Sequence, residues 1–280
     1  MYKQDLLAGR VVVITGGGTG LGRSMALRMA ELGAKIFLCG RREEPLREAC
    51  GAIAKAGGTA AWASCDVRDP ASVEKMLAEA EQQVGAPDTL VNNAAGNFIA
   101  RTETLSPNAF NAVVSIVLYG TFHCTQALAK RWIAGKQPGT VLNILTTYAE
   151  TGSGFVVPSA CAKAGVLAMT RSLAVEWARY NIRLNAIAPG PFPTEGAWSR
   201  LMPSKDFEEH AKNTHPMKRF GRHAELSNLA VYLVSPQSDY VNGECVVIDG
   251  GLWLRGAGEF NDLADLPDAV WAHMEAARKK

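Results

Sequence analysis

Two periodicities alternate along the chain. Short runs rich in β-branched residues recur, and each is followed by a longer stretch with helical spacing. Arg10–Thr15 reads RVVVIT, an unbroken apolar run that predicts a strand covered on both faces of a parallel sheet. GGGTGLG follows, then a helix pattern from Arg23 to Leu32 that stops at Gly33. AKIFLCG predicts a second strand, and EPLREACGAIAKAGG an amphipathic helix closed by Gly57-Gly58. TAAWASCDV predicts the third strand, and Pro70 opens a helix running to about Val84. TLVNNAAG is the fourth strand, a long helix covers roughly Pro107–Ile133, and GTVLNILT is the fifth. A helix through Lys163 to about Tyr180 precedes the last two strands, IRLNAIAPG and ECVVIDGG. Strands alternating with helices predict right-handed βαβ units. The expected fold class is therefore α/β, a single doubly wound parallel sheet flanked by helices on both faces. No internal repeat or low-complexity linker divides residues 1–280, so one domain is expected.

Composition narrows the function classes. Twenty-nine basic and 27 acidic residues leave a net charge of +2, which gives no electrostatic reason to expect nucleic acid as a partner. No run of about 18 apolar residues appears, so no membrane span is expected. The start, MYKQDLLAGRVVVITG, enters a strand without a signal-peptide core. The six cysteines form no CxxC pair, which fits free thiols in the cytoplasm or another reducing compartment. The five histidines show no HxxxH or HExxH spacing, so no metal is expected.

The stretch Val141–Lys163, VLNILTTYAETGSGFVVPSACAK, carries candidate chemistry. If the strand runs through it, Thr146 and Tyr148 share a strand face about 6.6 Å apart. Ser159 and Lys163, four apart, share one face of the following helix. A phenol, two hydroxyls and an ammonium can then converge at the carboxyl end of a strand, where open parallel sheets bind ligands. Taken alone, the stretch fits equally a capped helix after a core strand with a tyrosine on its rim.

Thr15–Gly22, TGGGTGLG, lies between a strand and a helix, where glycines let backbone approach a pyrophosphate and the helix N-terminus faces it. The spacing TGxxxGxG departs from GxGxxG and resembles that of the short-chain dehydrogenase/reductase family, a Rossmann-like fold. Cys39-Gly40-Arg41-Arg42 ends the second strand, and two guanidiniums stand where an NAD site usually places an acid. Their fork geometry suits a 2′-phosphate, so NADP is the expected cofactor. Asp66, in the CDV that ends the third strand, is placed for the adenine. Asn92–Gly96 resembles the family's NNAG segment, and Pro189-Gly190 its PG motif. The resemblance implies cofactor contacts from Gly16, Gly18, Thr19, Gly20, Leu21 and Gly22. It adds Val67, Asn93, Ala94, Pro189, Gly190 and Phe192 to Arg41, Arg42 and Asp66.

One departure narrows the function. Most members of that family have a serine, a tyrosine thirteen residues later, and a lysine four beyond. Lys163 fits that frame, but the tyrosine position holds Ser159 and the serine position Thr146. The arrangement resembles 2,4-dienoyl-CoA reductases of the mitochondrial type. The likeness runs through GGGTGLG, NNAAGNF, TTYAETGSGFVVPSACAKAG, APGPFPTEGAWSRL and GEFNDL. It implies that Tyr148 and Asn97 polarise a thioester carbonyl, that Lys163 holds the nicotinamide ribose, and that Ser159 lies beside the site. The lysine's charge is further expected to sit near the phenol and lower its pKa. It also implies an acyl-CoA substrate near Phe98, with Arg200 and then Arg68 as candidates for a CoA phosphate, and a homotetramer. Residues 191–219, rich in proline and mixed charge, suit a substrate lid, and about 252–280 form a C-terminal tail. A carbonyl or alcohol oxidoreductase with a relocated tyrosine, or a cofactor-binding scaffold without turnover, also fits these residues.

Overall fold

The computed structural model describes residues 2–194, 198 and 204–278. Among these residues seven strands form one sheet. They are β1 Val11–Thr15, β2 Lys35–Gly40, β3 Thr59–Ser64, β4 Thr89–Asn92, β5 Gly139–Ile144, β6 Ile182–Pro189 and β7 Cys245–Ile248. The order is β3-β2-β1-β4-β5-β6-β7 and every pairing is parallel. Strand order reverses between β1 and β4, which opens a crevice at their carboxyl ends. The unbroken apolar runs follow from burial on both faces. Val12 and Ile14 join the core cluster on one side of the sheet, while Val11 and Val13 join the cluster on the other.

The helices are α1 Gly20–Glu31, α2 Glu43–Lys55, α3 Pro70–Gln83, α4 Pro107–Val114, α5 Gly120–Ala134, α6 Tyr148–Thr151 and α7 Val157–Glu176. They continue with α8 Lys205–Thr214, α9 His223–Val234, α10 Leu252–Ala257 and α11 Asp268–Ala277. On one face, Met25 and Met29 of α1, Leu46 of α2 and Leu226 of α9 pack on Ile14, Ile36 and Leu38. On the other, Met76 and Leu77 of α3 and Leu128 and Trp132 of α5 pack on Phe37, Leu90 and Val141. Trp132 is fully enclosed, its Nε1 donates to the Pro87 carbonyl at 2.6 Å, and its ring lies where a Cβ at Gly139 would fall. Burying a large apolar side chain in this way contributes about 1.5–3 kcal/mol.

The structure revises two expected features. The helix expected over Pro107–Ile133 is α4 and α5 joined by a π-helical turn, Ser115–Tyr119, whose Val117 carbonyl accepts from the Thr121 hydroxyl at 2.6 Å. This helical stretch, Pro107–Ala134, is long and apolar enough to cross a membrane by length and composition alone, a test that the core helix of a soluble protein also passes. Its apolar character has another physical cause. Val117, Cys124, Leu128 and Trp132 are buried in the cores of this fold, so the helix is apolar on several sides. Finally, α7 stops at Glu176, and a 3₁₀ turn at Ala178–Tyr180 with left-handed Asn181 leads into β6.

Candidate active site

The glycine turn is held by packing that only glycine permits. Gly16 has φ +63°, and a Cβ at Gly22 would lie 2.5 Å from both the Gly16 carbonyl oxygen and Asn93 Nδ2. Asn93, expected against the cofactor, uses that Nδ2 to donate to the Thr15 and Gly16 carbonyls at 3.0 and 3.1 Å. Thr15 Oγ1 accepts the amides of Asn93 and Ala94 at 3.0 and 2.9 Å, tying the turn to the end of β4. The N-terminus of α1 follows. Thr19 caps it by position but with no side-chain hydrogen bond, and no acid occupies the first turn. By contrast, Asp69, Ser106 and Ser204 cap α3, α4 and α8 with their side chains. The amides at the start of α1 are therefore open to an anion.

Along the same edge, Arg41 and Arg42 are exposed after β2, and Arg42 occupies the N-cap position of α2 without a side-chain hydrogen bond. Arg68, expected near a CoA phosphate, folds back onto Asp66. Its Nε donates to the carboxylate at 2.9 and 3.0 Å, and Nη2 at 2.5 Å. This pairing holds the Asp66 carboxyl below the usual carboxylate range. The pair is local, two residues apart, and its exposed position makes its contribution to stability small. Val67 is buried under Gly120, where a Cβ would strike its side chain.

At the carboxyl ends of β4 and β5 three side chains meet. The phenol of Tyr148 lies 3.1 Å from Ser159 Oγ, and Asn97 Nδ2 donates to the phenol oxygen at 3.3 Å. Asn97 Oδ1 accepts the Phe98 amide at 2.9 Å, which fixes the orientation of the carboxamide. One of the two Nδ2–H bonds is thereby used, and the other can donate elsewhere. The loops carrying Asn97 and Tyr148 are tied by the Ala100 amide donating to the Phe155 carbonyl at 2.9 Å. Phe155 there takes a left-handed φ of 64°, a conformation a bulky side chain adopts at some cost.

The route to this geometry differs from the expected one. Tyr148 is not on the strand. β5 ends at Ile144, the Leu145 amide still bonds the Ile187 carbonyl at 2.7 Å, and the chain then coils into α6. Ala149 and Glu150 amides return to the Thr146 and Thr147 carbonyls, so α6 starts with Tyr148. The helical turn, not strand alternation, aims the phenol at Ser159. Lys163 Nζ donates to the Ile144 carbonyl, and burial lowers its pKa to about 8. Thr146 Oγ1 is buried with no hydrogen-bond partner, an orphan beside the site that a bound ligand could satisfy.

The comparisons with known proteins agree with this frame. The family model described as Enoyl-(Acyl carrier protein) reductase matches residues 16–253. A Bacillus subtilis (strain 168) protein named "Probable 2,4-dienoyl-CoA reductase [(2E)-enoyl-CoA-producing]" is 46% identical over 247 residues, 88% of this chain and 97% of that one. A Caenorhabditis elegans protein named "Probable 2,4-dienoyl-CoA reductase 3 [(3E)-enoyl-CoA-producing]" is 43% identical, covering 90% of this chain and 82% of that one. A short chain dehydrogenase crystal structure from Bacillus anthracis str. 'Ames Ancestor' is 43% identical with a TM-score of 0.80, covering 87% of this chain and 96% of that one.

The chain belongs to the short-chain dehydrogenase/reductase family. It is an oxidoreductase with that family's nicotinamide-cofactor fold. Within the short-chain dehydrogenase/reductase frame the tyrosine position is the buried Ser159, and the phenol arrives from α6. Phe98, next to Asn97 in sequence, is partly buried against the core cluster that includes Val113, Val117 and Leu145. Phe192 is buried in the core on the α1 side, with its ring against Gly221. Arg200 lies outside the described residues. Sequence reasoning missed the bracing by Thr15 and a link from α1 to Pro193, just past β6. In that link His223 Nδ1 meets Ser24 Oγ at 2.7 Å, and His223 Nε2 meets the Pro193 carbonyl at 2.6 Å. Neither has a local signal, because each joins residues far apart in sequence.

Proposed function

We propose that this protein reduces 2,4-dienoyl-CoA thioesters to enoyl-CoA with NADPH, in the degradation of unsaturated fatty acyl chains. The observation that carries the reading is the meeting of Tyr148 Oη with Ser159 Oγ and Asn97 Nδ2 at 3.1 and 3.3 Å, where the usual tyrosine position holds a serine. The two relatives named as dienoyl-CoA reductases support it. The cofactor fits the uncapped start of α1, the glycine turn, and the buried orphan Thr146 Oγ1. Exposed Arg41 and Arg42 favour a 2′-phosphate. Bound NADPH supplies the hydride.

The chain's own residues stabilise charge. Reduction at the far end of a conjugated dienoyl thioester collects negative charge on the thioester oxygen. Tyr148 Oη–H and the second Nδ2–H of Asn97 donate to that oxygen as charge develops, which lowers the barrier. Asn97 already donates to the phenol oxygen, so the phenol hydrogen is left for the substrate or Ser159. Ser159 orients the phenol, and Lys163 holds the ribose hydroxyls. Residues 191–219 cover the substrate, and Arg200 contacts the CoA phosphates. The six free cysteines favour a reducing compartment. Exposed Tyr119, Phe122 and Val175 on the long helices favour a homo-oligomer built there.

The test is NADPH oxidation followed spectrophotometrically with a dienoyl-CoA beside a simple ketone. Turnover of the dienoyl-CoA alone is expected. Turnover of the ketone alone would move the protein to carbonyl chemistry, and binding of NADPH without any turnover would make it a scaffold. Light scattering of the purified protein reads the oligomeric state, and a monomer would remove the helix-mediated assembly.

A further inference from the structure

Walking along the carboxyl edge of the sheet orders the sites. The arginine pair follows β2, the glycine turn follows β1, Asn97 follows β4 and Tyr148 lies past β5. Beyond them, between the ends of β6 and β7, lies a cavity of about 200 Å³ that none of these groups uses. Pro191, Phe192, His215, Met217, Phe220 and Ile248 form much of its wall. From β5 to β7 is two strand spacings, about 10 Å.

The chemistry of the wall selects its occupant. Glu225 is held by the two terminal guanidinium nitrogens of Arg219 at 2.9 and 2.8 Å and by Arg222 at 2.9 Å. Asp249 accepts the Gly251 and Trp253 amides at 2.9 and 2.7 Å, one at each oxygen. His215 Nδ1 accepts the Met217 amide at 3.1 Å. Arg219, Glu225 and Asp249 of the wall are thus already partnered, and most of the surface left open is apolar. At about 200 Å³ the cavity is smaller than the roughly 300–1,000 Å³ that hold a whole ligand, so it suits one end of a ligand anchored elsewhere.

We infer that this cavity receives the distal, apolar end of the acyl chain and sets its preferred length. The inference rests on the acyl-CoA reading above, because it takes the thioester to be held at Tyr148 and Asn97. Its walls are stabilised at a distance. Arg255 of α10 donates to the Thr214 carbonyl at the end of α8 and to Asp265, and Lys218 donates to Asp265 at 3.0 Å. These bonds pin residues 215–218, and with them Met217, over Gly250, where a Cβ would lie 3.0 Å from Met217 Sδ.

The experiment measures equilibrium binding of saturated acyl-CoA thioesters of increasing length to the NADP complex, in wild type, Met217→Trp and Met217→Ala. Each buried methylene is expected to tighten binding roughly fourfold until the cavity is full. Met217→Trp should end that rise at a shorter chain, and Met217→Ala at a longer one. Met217 is half exposed and touches none of the reacting groups, so both variants are expected to fold, with melting temperature as the check. Met217→Ala keeps the test alive if the tryptophan is not tolerated. Affinity independent of chain length in wild type, or a rise that ends at the same length in all three proteins, overturns the inference. Saturated thioesters are not reduced, so length-dependent binding without dienoyl-CoA turnover would sink the catalytic reading and leave the cavity assignment standing. Absence of any acyl-CoA binding would sink both.

Discussion

The two halves of the crevice are built by different means. On the β1–β3 side the centre of the site is backbone, a turn whose glycines leave no room for a Cβ and a helix start without a side-chain cap, with exposed Arg41 and Arg42 at its rim. On the β4–β7 side it is side chains carried by separate segments, with Asn97 after β4, Tyr148 on α6 and Ser159 on α7. A backbone site tolerates no change at a few positions and is indifferent to the residues between them. A side-chain site can change chemistry by moving one phenol, provided the loops that aim it are held. The bond from Ala100 to Phe155 does that here.

The largest expected effect breaks the side-chain half. Tyr148→Phe removes the hydroxyl and keeps the ring, so folding and NADPH binding should remain. Dienoyl-CoA reduction in single turnover should fall about 10²–10³-fold, the usual loss for one oxyanion donor. Asn97→Ala should cost a similar factor, and the double mutant less than the product of the two, because both donors act on one oxygen. Near-wild-type turnover by Tyr148→Phe would end the relocated-phenol account.

The strands and the glycine turn were legible in sequence because their residues are dictated locally. β1 reads as an apolar run because it is covered on both faces, and Gly22 is demanded by the Gly16 carbonyl beside it. Ser159 and Lys163 were placed on one helix face by spacing alone, and α7 carries both. The path of Tyr148 was not legible. TTY extends an apolar run, and whether it continues β5 depends on hydrogen bonds from Ala149 and Glu150 that no periodicity reveals. The π turn at Ser115–Tyr119 was hidden similarly, since an apolar helix with one extra residue keeps its composition. The pairing of Arg68 with Asp66 was not legible either, because a spacing of two residues does not fix whether two side chains meet.

The next effect tests whether the backbone half chooses between cofactors. Arg41→Ala should lower the ratio of kcat/KM for NADPH over NADH by about 10- to 150-fold, the value of one charge-assisted contact. The loss should fall on NADPH, with NADH little changed. An unaltered ratio in both Arg41→Ala and Arg42→Ala would show that the 2′-phosphate is bound elsewhere.

Gly22→Ala probes the same half without touching a charge. Its Cβ would meet the Gly16 carbonyl and Asn93 Nδ2, and backbone cannot swing aside as a side-chain end can. A loss of about 1–3 kcal/mol in unfolding free energy is expected, the usual cost of overpacking. Denaturant melts of the apo protein measure it. A wild-type midpoint would mean that the turn is looser than the packing shows.

The smallest effect lies where the halves meet, at Lys163. Burial lowers its pKa from 10.5 to about 8, so it is charged below pH 8 and neutral above. If the ammonium holds the cofactor ribose, kcat/KM should fall above about pH 8, approaching tenfold per unit. Stability moves in the opposite direction. Between pH 8 and 10.5 the unfolded chain keeps a proton that the folded chain has released. Folding is thus favoured as pH rises through that window, as far as Lys163 contributes. An alkaline decline in rate caused by this lysine should therefore appear without a matching decline in melting temperature from the same group. Lys163→Arg keeps its charge at every accessible pH, so its alkaline limb should vanish even if its overall rate is lower. The same limb in Lys163→Arg, or a wild-type limb near pH 10, would assign the titration to another group.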